Sequence, residues 1–281
     1  MIPSNVEPAI RMWCRALEAA LPDRLESVYL YGSIALGAYV EGSSDVDFIA
    51  FVKRPLSVED LAAIAGIHEA VDQAWPGLQF MGSYIRREDA FKEGGAIGAV
   101  PSYFNGRLHP NGEHADLNPV TWWMMKKHGL CVHGMETPFA DEVSAETLVR
   151  YVIGNMNTYW AQQIGRLEQR LRALPDGSDG ELPFELLDEA AEWCVLGLLR
   201  QHYTIARRDV TSKLGAGAYG LAQVPERWHG LIREALAVKR REPWRLYGSQ
   251  LARLRDLTEL LRFIETDANR LYTELYPSSF Q

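Results

Sequence analysis

The sequence predicts an α+β protein of two domains, an N-terminal α/β domain with a mixed sheet followed by a C-terminal all-α helical bundle. Three observations predict this fold class. Strand-like and helical segments alternate through the first half of the 281 residues, strand-like segments disappear from about Ser144 onward, and residues 134–145 between them resemble a linker. We therefore place the domains at residues 1–142 and 143–281.

The first elements follow from residue type and periodicity. Residues 1–23 predict an amphipathic helix rather than a signal peptide, because no apolar run follows a basic start. Residues 24–32 and 44–55 are rich in β-branched and aromatic residues and predict strands. Residues 57–75 have helical periodicity, and Ser57 and Asp60 at their start form the pattern of a capping box.

The rest of the first half continues the alternation. Residues 77–87 predict a strand, and residues 99–108 predict another. Residues 118–129 predict a short helix, since the asparagine that opens the segment can cap it and the glycine that closes it can end it. A brief strand is expected at residues 130–134. This alternation is typical of a sheet with helices packed on it.

The second half is helical throughout by its periodicity. Residues 145–174 keep helical spacing without interruption, and residues 175–183 are rich in Pro, Gly and Asp and predict a loop. Further helices are expected at residues 184–208 and 224–241, and a long last helix from about Trp244. Such a run of helices predicts a bundle.

Composition limits the classes of partner. The net charge of −8 and the pI of about 5.5 leave no electrostatic footprint for nucleic acid and favour a cationic small molecule. The three cysteines form no CxxC pair and indicate reduced thiols. No apolar run has the length of a membrane span. We expect a soluble, cytoplasmic monomer that binds neither nucleic acid nor membrane.

Two acids in the second strand are the strongest functional feature. Asp45 and Asp47 are two residues apart and would project from the same face of a strand. Two such carboxylates repel each other unless a cation lies between them, and hard oxygen ligands suit Mg²⁺. Upstream, Gly32 allows a tight turn, and Ser33 opens a short helical segment where a phosphate can bind. Residues 42–44 form a second small, polar turn. This equipment suits phosphoryl or nucleotidyl transfer.

Two stretches resemble a known group of enzymes. GSIALGAYVEGSSDVDFIAFV, residues 32–52, resembles the signature of the DNA polymerase β-like nucleotidyltransferase superfamily. Residues 192–236 resemble the C-terminal helical domain of aminoglycoside 3''-adenylyltransferases, the streptomycin and spectinomycin resistance enzymes. The resemblance implies an N-terminal nucleotidyltransferase domain, ATP and Mg²⁺ at the domain interface, and transfer of AMP to a drug hydroxyl.

The resemblance also implies roles for single residues. Asp45 and Asp47 would hold the metal. The expected contacts of the nucleotide are Gly32, Ser33, Ser44, Asp141, Arg200 and Lys213. Arg200 and Lys213 are also compatible with a solvated helix end. Asp141 is equally compatible with an acid that stabilises the next helix through its dipole.

The general base departs from the resembled pattern. Those enzymes carry a glutamate on a later strand, whereas the segment taken as comparable, residues 101–110, has Asn105 and Arg107 and no acid. An amide does not accept a proton as a carboxylate does. We expect Glu113 to act as the base, with Asp116 as the other nearby acid, although both are also compatible with simple loop acids. His109 and His114 lack the regular spacing of a metal site.

The acceptor is expected to be a cationic, hydroxyl-bearing small molecule held by acids and an aromatic ring, here Trp193. The acids in question are Glu185, Asp188, Glu189 and Glu192. Ala190 stands where the resembled enzymes have an acidic drug-binding residue, which argues against streptomycin. Two alternatives are a nucleotide-binding protein with little or no transferase activity, and a nucleotidyltransferase that acts on a protein or RNA.

Overall fold

The structure is a computed structural model that describes residues 1–92, 94–98, 100–112, 116–139, 143–174 and 184–277. The chain divides into two units, Met1–Val143 and Ser144–Gln281.

The first unit is built on a six-stranded sheet with strand order β5-β4-β3-β2-β1-β6. The strands are β1 Leu25–Leu30, β2 Val46–Val52, β3 Phe80–Arg86, β4 Val100–Phe104, β5 Arg107–Gly112 and β6 Leu130–Gly134. β2 and β3 are parallel, and the other neighbours are antiparallel. The predicted mixed sheet is confirmed.

Helices lie within most of the connections between the strands of this unit. They are α1 Glu7–Ala20, α2 Gly32–Ala35, α3 Val58–Ala74, α4 Gly94–Ile97 and α5 Pro119–His128. The predicted capping box is present, because the Ser57 and Asp60 side chains each accept a backbone N–H of the other residue. Asn118 caps α5 by accepting the N–H groups of Val120 and Thr121.

The core fixes the central strand β2. Val46 and Phe48 are 0% exposed, and the Phe48 ring meets that of Trp13 edge-on with 4.7 Å between centroids. His68 and Phe80 complete the same aromatic cluster. Because close-packed interiors resist displacement, the backbone that carries Asp45 and Asp47 is held in a fixed position.

Residues 99–108 were expected to form one strand, but the described residues 100–108 belong to the two strands of a hairpin. β4 ends at Phe104, and β5 begins at Arg107. Between them Asn105 and Gly106 have φ values of 52° and 67°. Two consecutive positive φ angles characterise the two-residue turn that Asn-Gly favours. The reversal places Arg107 on an edge strand.

The described residues of the second unit form helices and their connections and no strand, as predicted. Its helices are α6 Ala145–Asn155, α7 Ala161–Ala173, α8 Phe184–Ala190, α9 Leu196–Arg207, α10 Lys213–Gln223, α11 His229–Lys239 and α12 Gln250–Leu275. Wider π-helical turns, Met156–Trp160 and Ala191–Val195, join α6 to α7 and α8 to α9. The predicted loop at 175–183 lies outside the described residues. None of the described helices combines the length and apolar character that a membrane crossing requires.

α10 was not anticipated as a separate helix, since glycines at 215, 217 and 220 weaken helical propensity. The structure shows what two of them do. A Cβ on Gly217 would lie 2.7 Å from Leu236 Cγ, and one on Gly220 would lie 2.6 Å from Leu199 Cδ1. The glycines therefore let α10 approach α9 and α11 closely.

α12 begins six residues later than the sequence suggested, at Gln250 rather than Trp244. Ser249 provides the cap, because its hydroxyl accepts the Ala252 N–H at 3.0 Å. The segment before it is held differently: the Leu246 N–H donates to the Glu234 carboxylate at 2.8 Å. The Glu234 carboxylate thus binds the backbone of this segment ahead of the helix.

Candidate functional site

The turn after β1 brings the backbone of Gly32 against the side chain of Asp47. The Tyr31 N–H donates to the carbonyl oxygen of Asp47 at 3.0 Å. Gly32 then has a φ of 64°, in the left-handed region that favours glycine. A Cβ on Gly32 would lie 2.6 Å from Asp47 Cγ and closer still to one carboxylate oxygen. Only a residue without a side chain leaves room for that carboxylate.

Asp45 and Asp47 lie on the same face of the chain. Both are partly exposed, whereas Val46 and Phe48, which alternate with them, are buried. Residues two apart in extended backbone share a face. Asp45, immediately before β2, also lines a pocket of about 230 Å³ together with Asp72 and the tip of the β4–β5 hairpin. The two carboxylates therefore extend from a fixed backbone and are partly exposed to solvent.

A third carboxylate joins this pair around a buried tyrosine. Burial raises the pKa of Tyr31, and the charges of Asp47, Asp116 and Asp45 raise it further. Burial and the charge of Asp45 also raise the pKa of Asp116. The residue type of Tyr31 did not indicate this environment, although Tyr31 directly precedes the Gly-Ser turn. The shifts in the pKa of Tyr31 and of Asp116 thus share a cause, the negative charge of Asp45, which a bound cation would offset.

The two serines expected at the phosphates lie in the turns beside the acids. The Ser33 Oγ is buried and has no hydrogen-bond partner among the described residues. The Ser44 Oγ accepts the Val40 N–H at 3.1 Å, and the Ser44 N–H donates to the Val40 carbonyl oxygen at 2.9 Å. A hydroxyl that accepts one bond keeps its own proton for donation. Both serines thus retain a donor for an anionic ligand.

These residues fit Mg²⁺ and a nucleotide phosphate. Carboxylates and hydroxyls are the oxygen ligands that Mg²⁺ prefers, and it completes its coordination with water and substrate phosphates. Within the part of the chain that the structure describes, no group of three His, Cys, Asp or Glu residues forms a metal site. His109 stacks on Phe104 with 3.9 Å between ring centroids, and His114 lies outside the described residues. The fit therefore rests on the Asp45–Asp47 pair.

The expected general base, Glu113, stays a prediction. β3 is a neighbour of β2 in the sheet, and its residue in register with Asp47 is Met81. The described strands β3, β4 and β5 contain no carboxylate. Asn105 occupies the hairpin turn instead. Glu113 lies outside the described residues, so Asp116 is the further described carboxylate whose charge couples to Asp45.

The residues expected at the triphosphate belong to the second unit. Arg200 lies on α9, and Lys213 is the first residue of α10, whose cap is Ser212. The Lys213 ammonium donates to Glu192 Oε1 at 2.9 Å. Asp141 lies outside the described residues. Lys213 is therefore part of an ion pair that the sequence did not indicate.

The acids expected to bind a cationic acceptor divide into two kinds. Asp188 accepts from the buried Arg253 at 2.7 Å, and Glu192 is paired with Lys213. Glu185 and Glu189 are exposed. The first two acids hold the helices together, so only the exposed pair remains available to a ligand.

Trp193 follows Glu192 in the π-helical turn and is exposed at its surface. Its ring lies 5.0 Å from that of Trp160 and 5.9 Å from that of Tyr159, measured between centroids. Trp160 in turn occupies the space that a Cβ on Gly197 would need. An exposed indole braced by two aromatic neighbours presents a fixed face to a ligand.

Two family models match separate parts of the chain. Residues 14–83 match the model described as a nucleotidyltransferase domain, a range that includes Gly32, Asp45 and Asp47. Residues 179–260 match the C-terminal domain of aminoglycoside adenylyltransferase. The second range covers the π-helical turn with Glu192 and the start of α10. Both stretches that carried the resemblance fall within these matches.

A solved structure resembles most of the chain. It is spectinomycin adenyltransferase AAD(9) from Enterococcus faecialis, determined with ATP and spectinomycin, with a TM-score of 0.62 and 13% sequence identity. The match covers 92% of this chain and 99% of that one. At this identity the likeness concerns the fold, and it confirms the α+β architecture with its helical second half. No curated protein matches the sequence significantly.

Proposed function

Since the chain is an adenylyltransferase of the aminoglycoside type within the nucleotidyltransferase superfamily, we propose that it transfers AMP from ATP to a hydroxyl group of an aminoglycoside-like small molecule. The observation that carries this proposal is the Asp45–Asp47 pair on one face of a buried strand, closed against Gly32. Paired acids beside a small-residue turn suit a reaction that depends on positioning and charge neutralisation.

The reaction is a displacement at phosphorus. The acceptor oxygen forms a bond to the α-phosphorus of ATP while the bond from that phosphorus to the bridging β-oxygen breaks. Pyrophosphate leaves, and the hydroxyl proton passes to a carboxylate. The Ser33 and Ser44 hydroxyls donate hydrogen bonds to phosphate oxygens, and Gly32 leaves the space that Asp47 needs. Mg²⁺, held by Asp45 and Asp47, would neutralise the charge of the phosphate groups.

We assign the proton acceptor to the segment 113–116. Asp116 is supported by its partial burial and by the charge of Asp45, both of which raise its pKa, and Glu113 by its place in the same segment. Comparing Asp116→Asn with Glu113→Gln separates them. The variant that lacks the base loses kcat at saturating ATP and acceptor, whereas the other variant stays within about threefold of the native rate.

In the second unit we propose that Arg200 and Lys213 bind the triphosphate. Arg offers a forked pair of donors, and Lys offers a mobile point charge. Asp141 remains a proposed nucleotide contact. The amino groups of the acceptor would meet Glu185, Glu189 and the Trp193 ring, through charge attraction and cation–π contact. We further propose that the enzyme works as a monomer in the cytoplasm.

The decisive experiment combines the purified chain with α-labelled ATP, Mg²⁺ and a panel of aminoglycosides that includes spectinomycin. Labelled drug and equimolar pyrophosphate are expected with at least one acceptor and are expected to disappear with EDTA. Asp47→Asn should give neither product while remaining folded. Absence of labelled drug across the panel with a folded native chain would refute the proposal.

A second candidate is a nucleotide-binding protein with little or no transferase activity. It is favoured by the lack of a carboxylate in the described strands β3, β4 and β5, where Met81 is the residue in register with Asp47. It predicts ATP binding in a calorimeter without pyrophosphate release for any acceptor. A macromolecular acceptor is the other alternative, and the net charge of −8 argues against RNA.

A further inference from the structure

Lysine is rare in the second unit, and its lysines meet at the side chain of Glu192. Residues 144–281 contain two lysines, Lys213 and Lys239. The Lys213 Nζ lies 2.9 Å from Glu192 Oε1, and the Lys239 Nζ lies 3.9 Å from the same oxygen. Two ammonium groups therefore form ion pairs with a single carboxylate oxygen.

Three helical segments hold this cluster. Glu192 belongs to the π-helical turn Ala191–Val195, Lys213 opens α10, and Lys239 ends α11. Lys239 is the innermost group, with 7% of its side chain exposed, against 15% for Glu192 and 23% for Lys213. Lys213 is thus the cation that faces solvent, and Lys239 is the one that the fold encloses.

The order of the charges determines what Lys213 can do. A partly buried carboxylate is costly unless a cation compensates its charge. If Lys213 were the sole cation at Glu192, a Lys213 ammonium that moved from Glu192 to a ligand would leave the carboxylate without a counter-ion. With Lys239 behind it, Glu192 keeps a counter-ion. The ammonium of Lys213 has three donors, so it can also bind a second anion.

We propose that Lys239 is a positioning residue that compensates Glu192 and thereby allows Lys213 to bind a phosphate anion. The cluster of two lysines and one glutamate carries a net charge of +1, and Lys239 does not touch the ligand. The inference rests on the proposed function in one respect, that the anion at Lys213 is the phosphate tail of a nucleotide.

The experiment measures binding of inorganic tripolyphosphate to the full-length chain by titration calorimetry, without Mg²⁺ or acceptor. Lys213→Met should show the largest loss of affinity. Lys239→Met should weaken binding roughly fivefold, because Glu192 then retains Lys213. Glu192→Gln should bind at least as tightly as the native chain. The double variant with Glu192→Gln and Lys239→Met has the native net charge and should return to within about twofold of native affinity.

A matched control removes a neighbouring cation of the same helix end. Arg240 is exposed and adjoins Lys239, so Arg240→Met changes the net charge equally and should leave affinity within about twofold. Thermal unfolding establishes that each variant is folded. A loss of affinity caused by damaged packing would persist in the double variant, whereas a loss caused by the uncompensated carboxylate would not.

Three results would overturn the inference: no tripolyphosphate binding by the native chain, native affinity in Lys239→Met, or an unrepaired defect in the double variant. These results are distinguishable from failure of the proposed function. The calorimetric titration needs no acceptor. It therefore measures the coupling between Lys239 and Glu192 even if the chain adenylylates no drug.

Discussion

The acid pair of the first unit and the lysine cluster of the second are positioned by different means. Asp45 and Asp47 belong to the end of a buried central strand, and backbone register and a glycine fix their carboxylates. Lys213 reaches its place through a long side chain that a carboxylate holds at 2.9 Å. Short side chains on a strand suit groups that must not move, whereas a lysine held by a counter-ion can exchange partners. The two regions should therefore respond differently to substitution.

The largest effect is expected at the acid pair. Asp47→Asn should lower kcat by about a thousandfold or more, since it removes a charge that acts on the reacting phosphate. Stability should not fall, because one of several mutually repelling carboxylates is lost. The rate of labelled AMP transfer and the urea midpoint test both statements. A variant that keeps a tenth of the native rate would exclude Asp47 from the reaction.

A smaller effect is expected at the glycine that accommodates the acid. Gly32→Ala should lower kcat by about a hundredfold, because the new Cβ displaces the Asp47 carboxylate. Gly37→Ala is the matched control: Gly37 has the same φ of 64°, and no atom lies within 4 Å of its Cβ position. Both variants should lose about 1–2 kcal/mol of unfolding free energy to backbone strain. Equal activities of the two would show that crowding at Asp47 is unimportant.

Lys213→Met should have a milder and different effect. We expect the KM for ATP to rise about tenfold, the loss of roughly 1.4 kcal/mol of binding, with kcat lowered by less. A flexible cation contributes to binding of the phosphate tail more than to positioning of the reacting atoms. Steady-state kinetics over a range of ATP concentrations provides the measurement. If kcat collapses while KM is unchanged, the distinction between the two regions is wrong.

The smallest effect at neutral pH concerns the core beneath the acid pair. Burial lowers the pKa of His68 from 6.5 to about 3. Below pH 6.5 the unfolded chain therefore binds a proton that the folded chain refuses, and stability falls as pH falls, with a limiting slope of about 1.4 kcal/mol per pH unit. Above pH 6.5 no such term remains. Urea unfolding at pH 7, 6 and 5 should show the decline, and His68→Phe should flatten it.

Much of the first unit follows from short-range pattern. The capping box at Ser57 and the cap at Asn118 involve neighbours in sequence, so residue type alone indicates them. The placing of Asp45 and Asp47 on one face requires only the alternation of a strand. Local rules of this kind remain valid when the strand packs, because the core holds the residues that alternate with the acids.

The features that the sequence analysis missed depend on packing or on distant residues. The Asn105–Gly106 turn has a recognised signature, but the surrounding apolar residues were taken for one continuous strand. α10 has too many glycines to be predicted from propensity, and packing against Leu199 and Leu236 accounts for them. The shared position of Lys213 and Lys239 at Glu192 joins three separate helical segments, so no local spacing reveals it.

The glycines of α10 have a consequence for how such an enzyme changes over time. Gly217 and Gly220 let the helix that begins with Lys213 rest directly on its neighbours. An alanine at either position would push α10 away from its neighbours. The backbone of Lys213 would then move, while its charge would stay the same. Affinity for an anion would then drift through residues that never meet the ligand. The position of the Lys213 ammonium therefore depends on the close packing at Gly217 and Gly220 as well as on the Glu192 carboxylate that it contacts.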